Sequence, residues 1–425
     1  MNILDTFKER YLFEDMTSPE LASALDKPLC AYAGFDPTND SLQVGNFVTI
    51  MTLAHLQRAG HKVIALVGGA TGLIGDPSGK SQERNLLDAQ QVEHNLEGIK
   101  ENLSRFIDFD PASKNPAIMV NNYDWFKNFT FIDLLRDVGR YFRISVMMSK
   151  ESVRKRMESE DGMSFTEFCY QILQGYDFLH LYKQYGCTLQ LGGSDQWGNI
   201  TAGTELVRRV CGAEVYGMTF PLVCDSTGKK FGKSEGNAIF LDARKTSYYD
   251  FYQFFLRSHD ADVIRYLKIL TFLPMERIEE LENSLKQAPE RREAQQALAE
   301  ELTRTVHGET GLAVAQQATQ VLFGGSVEGL AASDLESIFA NVASAALPLA
   351  EVVNQPLPDV LAAAGMFASK GEARRLLKQG GIYINNQRVT EESRTFSPDD
   401  LIEGRLAVLR SGKRNFFLLK ITPNA

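Results

Sequence analysis

Two lysines three residues apart, in Lys230-Phe231-Gly232-Lys233-Ser234, sit on a short stretch opened by a single glycine. A loop of this kind can wrap a polyphosphate. Two ammonium groups at that spacing follow negative charge as it gathers on a departing pyrophosphate, stabilising a transition state more than the ground state. The same residues, preceded by Asp225-Ser226-Thr227-Gly228, also suit a solvated basic turn at a hairpin tip. Spacing alone does not separate the two readings.

A second anion site is offered by Tyr32 to Asn46, where an apolar run ends at Gly34-Phe35-Asp36-Pro37-Thr38 and leads into Gln43-Val44-Gly45-Asn46. At the start of a helix, free backbone N–H groups and the helix dipole both favour an anion. Gln43 and Asn46, three apart, can donate amide hydrogen bonds to a phosphate; Asp40 with Gln43 equally fits a capping box. Further on, Gly69, Gly72 and Gly75 do not have dinucleotide-fingerprint spacing, and Ile74 stands where a P-loop needs glycine. What remains is a glycine-rich strand end that a substrate can approach closely, with Asp76, Lys80 and Arg84 within reach.

Tyr170, Gln174 and Asp177 fall at i, i+4 and i+7 of a helical stretch and share a face, while Phe168, Ile172 and Leu179 share the opposite one. Periodicity alone reads the polar trio as the solvent side of an amphipathic helix. Gln190-Leu191-Gly192-Gly193-Ser194-Asp195-Gln196-Trp197-Gly198-Asn199 packs glycines, an acid and amides into a tight turn after an apolar run, the kind of loop that binds ligands at the carboxyl end of a parallel strand.

The elements that position these residues follow from the apolar pattern. Leu29 to Phe35 and Lys62 to Val67 read as strands, with helical spacing from Val44 to Gln57 between them, which predicts a βαβ unit. Runs at Ala117 to Val120 and Thr188 to Leu191, with a helix over Phe165 to Tyr182, continue the alternation. A Rossmann-like α/β domain with a parallel sheet is expected over 1–222. Residues 223–325, with helices at Met275 to Lys286 and Glu290 to Val306, read as the phosphate loop and an α-helical domain. Residues 326–356 are rich in Ala and Ser, end at Asn354-Gln355-Pro356-Leu357-Pro358, and read as a linker. A small α+β unit over 357–425 completes the chain.

The 425 residues provide room for about three domains. No apolar run is long enough to cross a membrane, and the N-terminal residues mix acids and bases, so neither a membrane protein nor a signal peptide is expected, and the cytoplasm is. Five scattered cysteines with no C-x-x-C pair indicate neither a disulfide framework nor a zinc site. The net charge of −9 argues against a chain that coats nucleic acid along its whole surface, yet from Glu351 onward eleven Lys/Arg face eight Asp/Glu. A basic end on an acidic body points to local RNA contact.

Together these segments resemble the class I aminoacyl-tRNA synthetases, and specifically their bacterial tyrosine-dependent members. Lys230 to Ser234 resembles their second signature loop, and Gln43 to Asn46 occupies the place of the first. Gly68 to Ser78, Asn121-Asn122-Tyr123-Asp124-Trp125, Ser164 to Phe168 and Gly192 to Ile200 match in order, and Phe367 to Arg405 resembles an S4-type RNA-binding domain. The resemblance implies tyrosine, ATP with Mg²⁺, and tRNA(Tyr) as substrates, no resident metal, and a homodimer. It places Tyr170, Gln174 and Asp76 near the substrate amine, Tyr32 and Asp177 at the phenol, and Asn121, Gln190 and Gln196 around the amino acid. Gly34, Asp36, Gly45, Gly192 and Asp195 would line the nucleotide site. Lys230, Lys233 and Ser234, with Lys80, Arg84 and Thr38, would hold the phosphates. In the C-terminal unit Arg374, Arg375, Lys378, Arg410, Lys413 and Arg414 are the expected tRNA contacts.

One departure stands out. The family usually carries histidine at the places of Gln43 and Asn46, and a neutral amide cannot form the stronger charge-assisted bond. A synthetase-derived RNA-binding protein that has lost catalysis is therefore the competing reading, and an adenylating enzyme with a non-tRNA acceptor is a third.

Overall fold

In the computed structural model of the chain, the described residues are 2–78, 89–158, 162–228, 231–234, 237–322, 325–327, 329–339, 342–391, 393–412 and 415–422. They form two compact units, one of Met1–Thr246 with Phe254–Val306 and the other of Ser247–Gln253 with His307–Ala425.

The first unit is built on six strands: β1 (Asp15–Met16), β2 (Cys30–Phe35), β3 (Lys62–Val67), β4 (Ile118–Asn121), β5 (Leu189–Gly193) and β6 (Tyr216–Phe220), in the order β1-β6-β5-β2-β3-β4. All neighbours are parallel except the β1–β6 pair at one edge. β3 and β5 are almost continuously apolar and buried, as strands covered on both faces must be. From β2 the chain runs outward to β3 and β4, then returns to place β5 on the other side of β2. That reversal is the topological switch point, and ligand sites in open α/β sheets lie at the carboxyl ends of the strands there.

Two helices frame the switch point. Phe47–Arg58, preceded by a single turn at Val44–Asn46, follows β2 and is buried on nearly all sides. Phe165–Tyr185 begins with the capping box written in its sequence: the Glu167 amide donates to Ser164 Oγ at 3.2 Å, and Glu167 Oε2 accepts from the Ser164 amide at 3.1 Å. Glu167 also pairs with Arg156 at 3.1 Å, both side chains 3% exposed, so the helix start is pinned by a buried ion pair. The helices Asp260–Leu270 and Met275–Gln287 belong to this unit too, and Arg10 ties the N-terminal helix to them by donating to the carbonyls of Thr271 (2.9 Å) and Leu273 (2.6 Å). Residues 223–246 and 254–306, expected as part of a separate helical domain, thus fold with the first sheet.

Short strands β7 (Lys233–Ser234) and β8 (Asn237–Ala238) pair antiparallel. In the second unit, β9 (Ser344–Pro348), β10 (Ile382–Ile384), β11 (Gln387–Val389), β12 (Leu406–Ser411) and β13 (Asn415–Thr422) form a sheet ordered β11-β10-β12-β13-β9. The linker expected over 326–356 is corrected here. Ser344–Pro348 pairs parallel with β13, and the helix Ala332–Ile338 buries Ala332, Leu335 and Ile338 against Leu406, Val408 and Leu418. The helix Glu293–Leu322 is kinked at Gly308 (φ 71°), close to where the two units divide.

Candidate functional site

A cleft of about 280 Å³ opens at the switch point, lined by the carboxyl ends of β2, β5 and β6 and by one face of the Phe165–Tyr185 helix. Tyr32 and Gln190 are register partners on β2 and β5 and both enter it. The three helix residues Tyr170, Gln174 and Asp177 all line the cleft, so the face that periodicity assigned to solvent is a pocket wall. Tyr170 and Asp177 are buried at 5% and 2% exposure.

The deepest polar groups gather around Asp177. Its carboxylate accepts from Asn122 Nδ2 at 3.1 Å and from the Trp125 indole N–H at 2.9 Å. Burial pushes this carboxyl up to about 8; the two donors pull it down, and Asp36 pushes it further up. The Tyr32 hydroxyl is fully buried, and burial, with the Asp177 charge behind it, raises its pKa well above the usual phenol value. Among the described residues neither the Tyr32 hydroxyl nor Gln190 Oε1 has a protein partner. Two buried polar atoms in one pocket that lack protein partners suit a polar ligand group or ordered water.

A second polar cluster surrounds Asp76. Gln196 Nε2 donates to it at 2.7 Å and the Ser78 amide at 3.0 Å, while Asn199 Nδ2 lies 3.4 Å from it and 3.1 Å from Gln196 Oε1. Tyr170 joins this part of the cleft to Asp36, donating its hydroxyl to Oδ2 at 3.1 Å, and Thr71 Oγ1 donates to Asp36 Oδ1 at 3.2 Å.

Comparison with known proteins shows the family of the chain. A family described as "tRNA synthetases class I (W and Y)" matches residues 24–324, and a "Tyrosine--tRNA ligase SYY-like C-terminal domain" matches 334–419. The chain belongs to the class I tRNA synthetases. It is 51% identical over 421 residues to the tyrosine–tRNA ligase of Protochlamydia amoebophila, covering 99% of both chains. It is 48% identical to the chloroplastic/mitochondrial tyrosine–tRNA ligase of Arabidopsis thaliana, covering 99% of this chain and 84% of that one. Among solved structures, a C-terminally truncated mitochondrial tyrosyl-tRNA synthetase of Aspergillus nidulans aligns with a TM-score of 0.67 at 33% identity, over 75% of this chain and 94% of that one. As an aminoacyl-tRNA synthetase the protein is an ATP-using enzyme, and the non-catalytic reading is not favoured.

In the synthetase the two signature segments touch. Gly232 has a φ of 94°, and a Cβ there would stand 2.9 Å from the Gly45 amide nitrogen. The Ile239 amide donates to the Gly232 carbonyl, and the Val44 amide to the Ile239 carbonyl, so this backbone is stitched to the turn before Phe47. Phe231, Gly45, Asn46 and Thr38 line the cleft beside Gly34, Asp36, Gly192, Asp195 and Gln196. Gln43 is not part of the lining; its backbone bridges to Phe240. The capping box at this turn joins Gln43 to Asn46, whose Oδ1 accepts from the Gln43 amide at 3.0 Å, and not Asp40 to Gln43; Asp40 pairs with Lys245 instead. Lys80, Arg84 and Lys230 lie outside the described residues, as do Lys413 and Arg414, and Lys233 and Ser234 are described as backbone only.

Two expected residues stand elsewhere. Asn121 lies off the cleft: it accepts from the Tyr123 amide at 2.9 Å and crowds Gly69, where a Cβ would meet its Oδ1 at 2.1 Å. Its neighbour Asn122, fully buried, reaches Asp177. Gly68 likewise makes room for Asp36 and Thr71, so these glycines admit the synthetase's own side chains. Arg410 is 7% exposed, its guanidinium 3.7 Å over the Tyr383 ring and its Nε donating to Asn386 at 2.9 Å. It is a structural arginine that ended an apolar run, Leu406 to Leu409, and that run was the signal. Arg374, Arg375 and Lys378 are exposed on the helix Lys370–Lys378.

Proposed function

We propose that this synthetase is a tyrosine–tRNA ligase that joins tyrosine to ATP as tyrosyl-adenylate, releases pyrophosphate, and transfers tyrosine to the 3′ end of tRNA(Tyr). The observation that carries the choice of tyrosine is the buried, unpartnered Tyr32 hydroxyl beside an Asp177 carboxylate that already holds two donors. A phenolic hydroxyl there donates to Asp177 and accepts from Tyr32. Phenylalanine would leave the buried Tyr32 hydroxyl without a partner and set an apolar ring edge against the Asp177 carboxylate, a cost that discriminates strongly without editing and for which tyrosyl-tRNA synthetases are themselves the known example.

Asp76, Tyr170 and Gln174 serve the ammonium group, with Gln196 and Gln190 completing the amino-acid site. The substrate carboxylate is ionised at neutral pH and needs no general base to attack the α-phosphorus. Positioning and charge stabilisation carry the step. Gly34, Asp36, Gly45, Gly192 and Asp195 hold the nucleoside, and Thr38 and Asn46 take the phosphates at the helix start, with Gln43 holding the turn that presents them. Lys230, Lys233 and Ser234, supported by Lys80 and Arg84, follow the charge onto pyrophosphate. Mg²⁺ enters with ATP as part of the substrate.

Arg374, Arg375 and Lys378, with Lys413 and Arg414, take the tRNA backbone. Phe131, Ile132, Ile144 and Phe165 are large apolar side chains each about 60% exposed, and a second copy of the chain is the proposed partner that covers them. No described helix is long and apolar enough to cross a membrane, and the proposed compartment is the cytoplasm. Amino-acid-dependent ATP–pyrophosphate exchange without tRNA tests the reading. Exchange with tyrosine and not with phenylalanine or tryptophan is expected, and folded protein silent with all three would sink it.

A further inference from the structure

The Trp125 indole that donates to Asp177 is only half-buried, and its flat face is covered by His180, with ring centroids 4.2 Å apart and planes 17° from parallel. Phe126, the other ring beside it, is 6.4 Å away and tilted by 48°, a looser contact. His180 stands one turn beyond Asp177 on the Phe165–Tyr185 helix, at i+3 and so on the same side. One helix therefore supplies both the carboxylate and the ring that fixes the direction of its donor. Trp125 and His180 also line a second cleft of about 550 Å³.

We infer that His180 is a positioning residue for tyrosine selection: its stack on Trp125 holds the indole N–H on Asp177 and so keeps that carboxylate aimed at the substrate phenol. The inference rests on the proposed role of Asp177. An indole free to rotate would release one of the two donors, and Asp177 would then have to choose between the substrate and a replacement partner. Tyrosine loses affinity; a substrate without a phenol loses nothing.

The test is tyrosine-dependent pyrophosphate exchange by the full chain carrying His180→Ala, His180→Phe or Asp177→Asn. His180→Ala raises the KM for tyrosine about three- to tenfold, the scale of one aromatic pair. Its kcat, its KM for ATP and the inhibition constant of phenylalanine stay within about twofold. His180→Phe, which keeps a flat ring, returns the tyrosine KM to that of the parent. An unchanged tyrosine KM in His180→Ala, a parallel loss for tyrosine and phenylalanine, or failure of His180→Phe to restore it would each overturn the inference. If His180→Ala does not fold, His180→Gln takes its place as the ringless variant. Asp177→Asn separates the two levels: if it leaves the tyrosine KM unmoved, the phenol reading itself fails. If it raises that KM while His180→Ala does not, only the role of His180 falls.

Discussion

Gly232 lies against Gly45 so closely that it cannot carry a side chain: a Cβ on Gly232 would reach 2.9 Å from the Gly45 nitrogen, at a φ of 94° that disfavours any L side chain. Backbone strain and a clash with backbone act together at one point of contact between the two segments proposed to bind phosphate. Gly232→Ala should cost on the order of 1–3 kcal/mol at that contact, about tenfold or more in the rate of adenylate formation. Tyrosine affinity should be unmoved, because the atoms nearest that Cβ belong to Gly45 and Val44 and to none of the residues proposed to hold tyrosine. Pre-steady-state formation of tyrosyl-adenylate, with tyrosine binding measured in parallel, checks this.

Gln43→His tests the other side of the same contact. A cationic donor at the helix start forms charge-assisted bonds that the amide cannot. The variant should form adenylate faster with tyrosine affinity unchanged, and equal rates would remove Gln43 from the phosphate machinery.

Asp177 gives a pH dependence of definite sign. Its carboxyl titrates at about 8 in the folded chain, against an ordinary value near 3.8. Through that window the folded form holds a proton that the unfolded form has released, so this group makes stability fall as pH rises from about 4 to about 8. Asp177→Asn should flatten that part of the profile, gaining relative to the parent at pH 8 and not at pH 4. Thermal midpoints of the substrate-free chain across pH 4–8 provide the comparison.

Glu167→Ala removes one member of a buried ion pair and half of a capping box at once. Breaking such a pair typically costs about 3–5 kcal/mol because the remaining charge, here Arg156, stays buried. The Phe165–Tyr185 helix carries three pocket residues, so the tyrosine KM should rise along with the loss of stability in denaturant. Thr166→Ala, at a neighbouring position without either interaction, should do neither.

Arg410 and Arg374 should separate cleanly. Arg410→Ala should lower the melting temperature of the C-terminal unit, since it removes a stacked, hydrogen-bonded side chain. Arg374→Ala should leave melting unchanged, weaken tRNA binding and reduce its salt dependence by about one unit of slope. Titrations of tRNA at several salt concentrations distinguish them.

Much of this was legible in the sequence where the signals were local. β2, β3 and the helix starting at Phe165 follow from apolar spacing, and Ser164 with Glu167 marks that helix start to the residue. The polar face of the same helix was not legible by periodicity, because a helix packed on one side and facing a pocket on the other shows the same pattern as one facing water. Asn121 and Asn122 are one position apart, and only the turn into Tyr123 decides which reaches Asp177. Arg410 shows the same limit, since charge alone does not reveal that Tyr383 and Asn386 enclose it. The segment 326–356 looked like a spacer because its partner strand is Asn415–Thr422, and pairing over such a separation leaves no local trace.

That pairing sets an order of assembly. A chain leaving the ribosome presents Ser344–Pro348 long before its neighbour in the sheet exists, while every strand of the first sheet is already available. The catalytic unit can close during synthesis, as domains nearer the N-terminus commonly do. The C-terminal sheet must wait for Asn415–Thr422 to be made. Until then the apolar side of Ala332–Ile338 has no Leu406, Val408 or Leu418 to cover it. A stop codon just after Asn415 would therefore remove most of β13 and strand β9 and that helix together, leaving an intact active site attached to a tail that invites degradation.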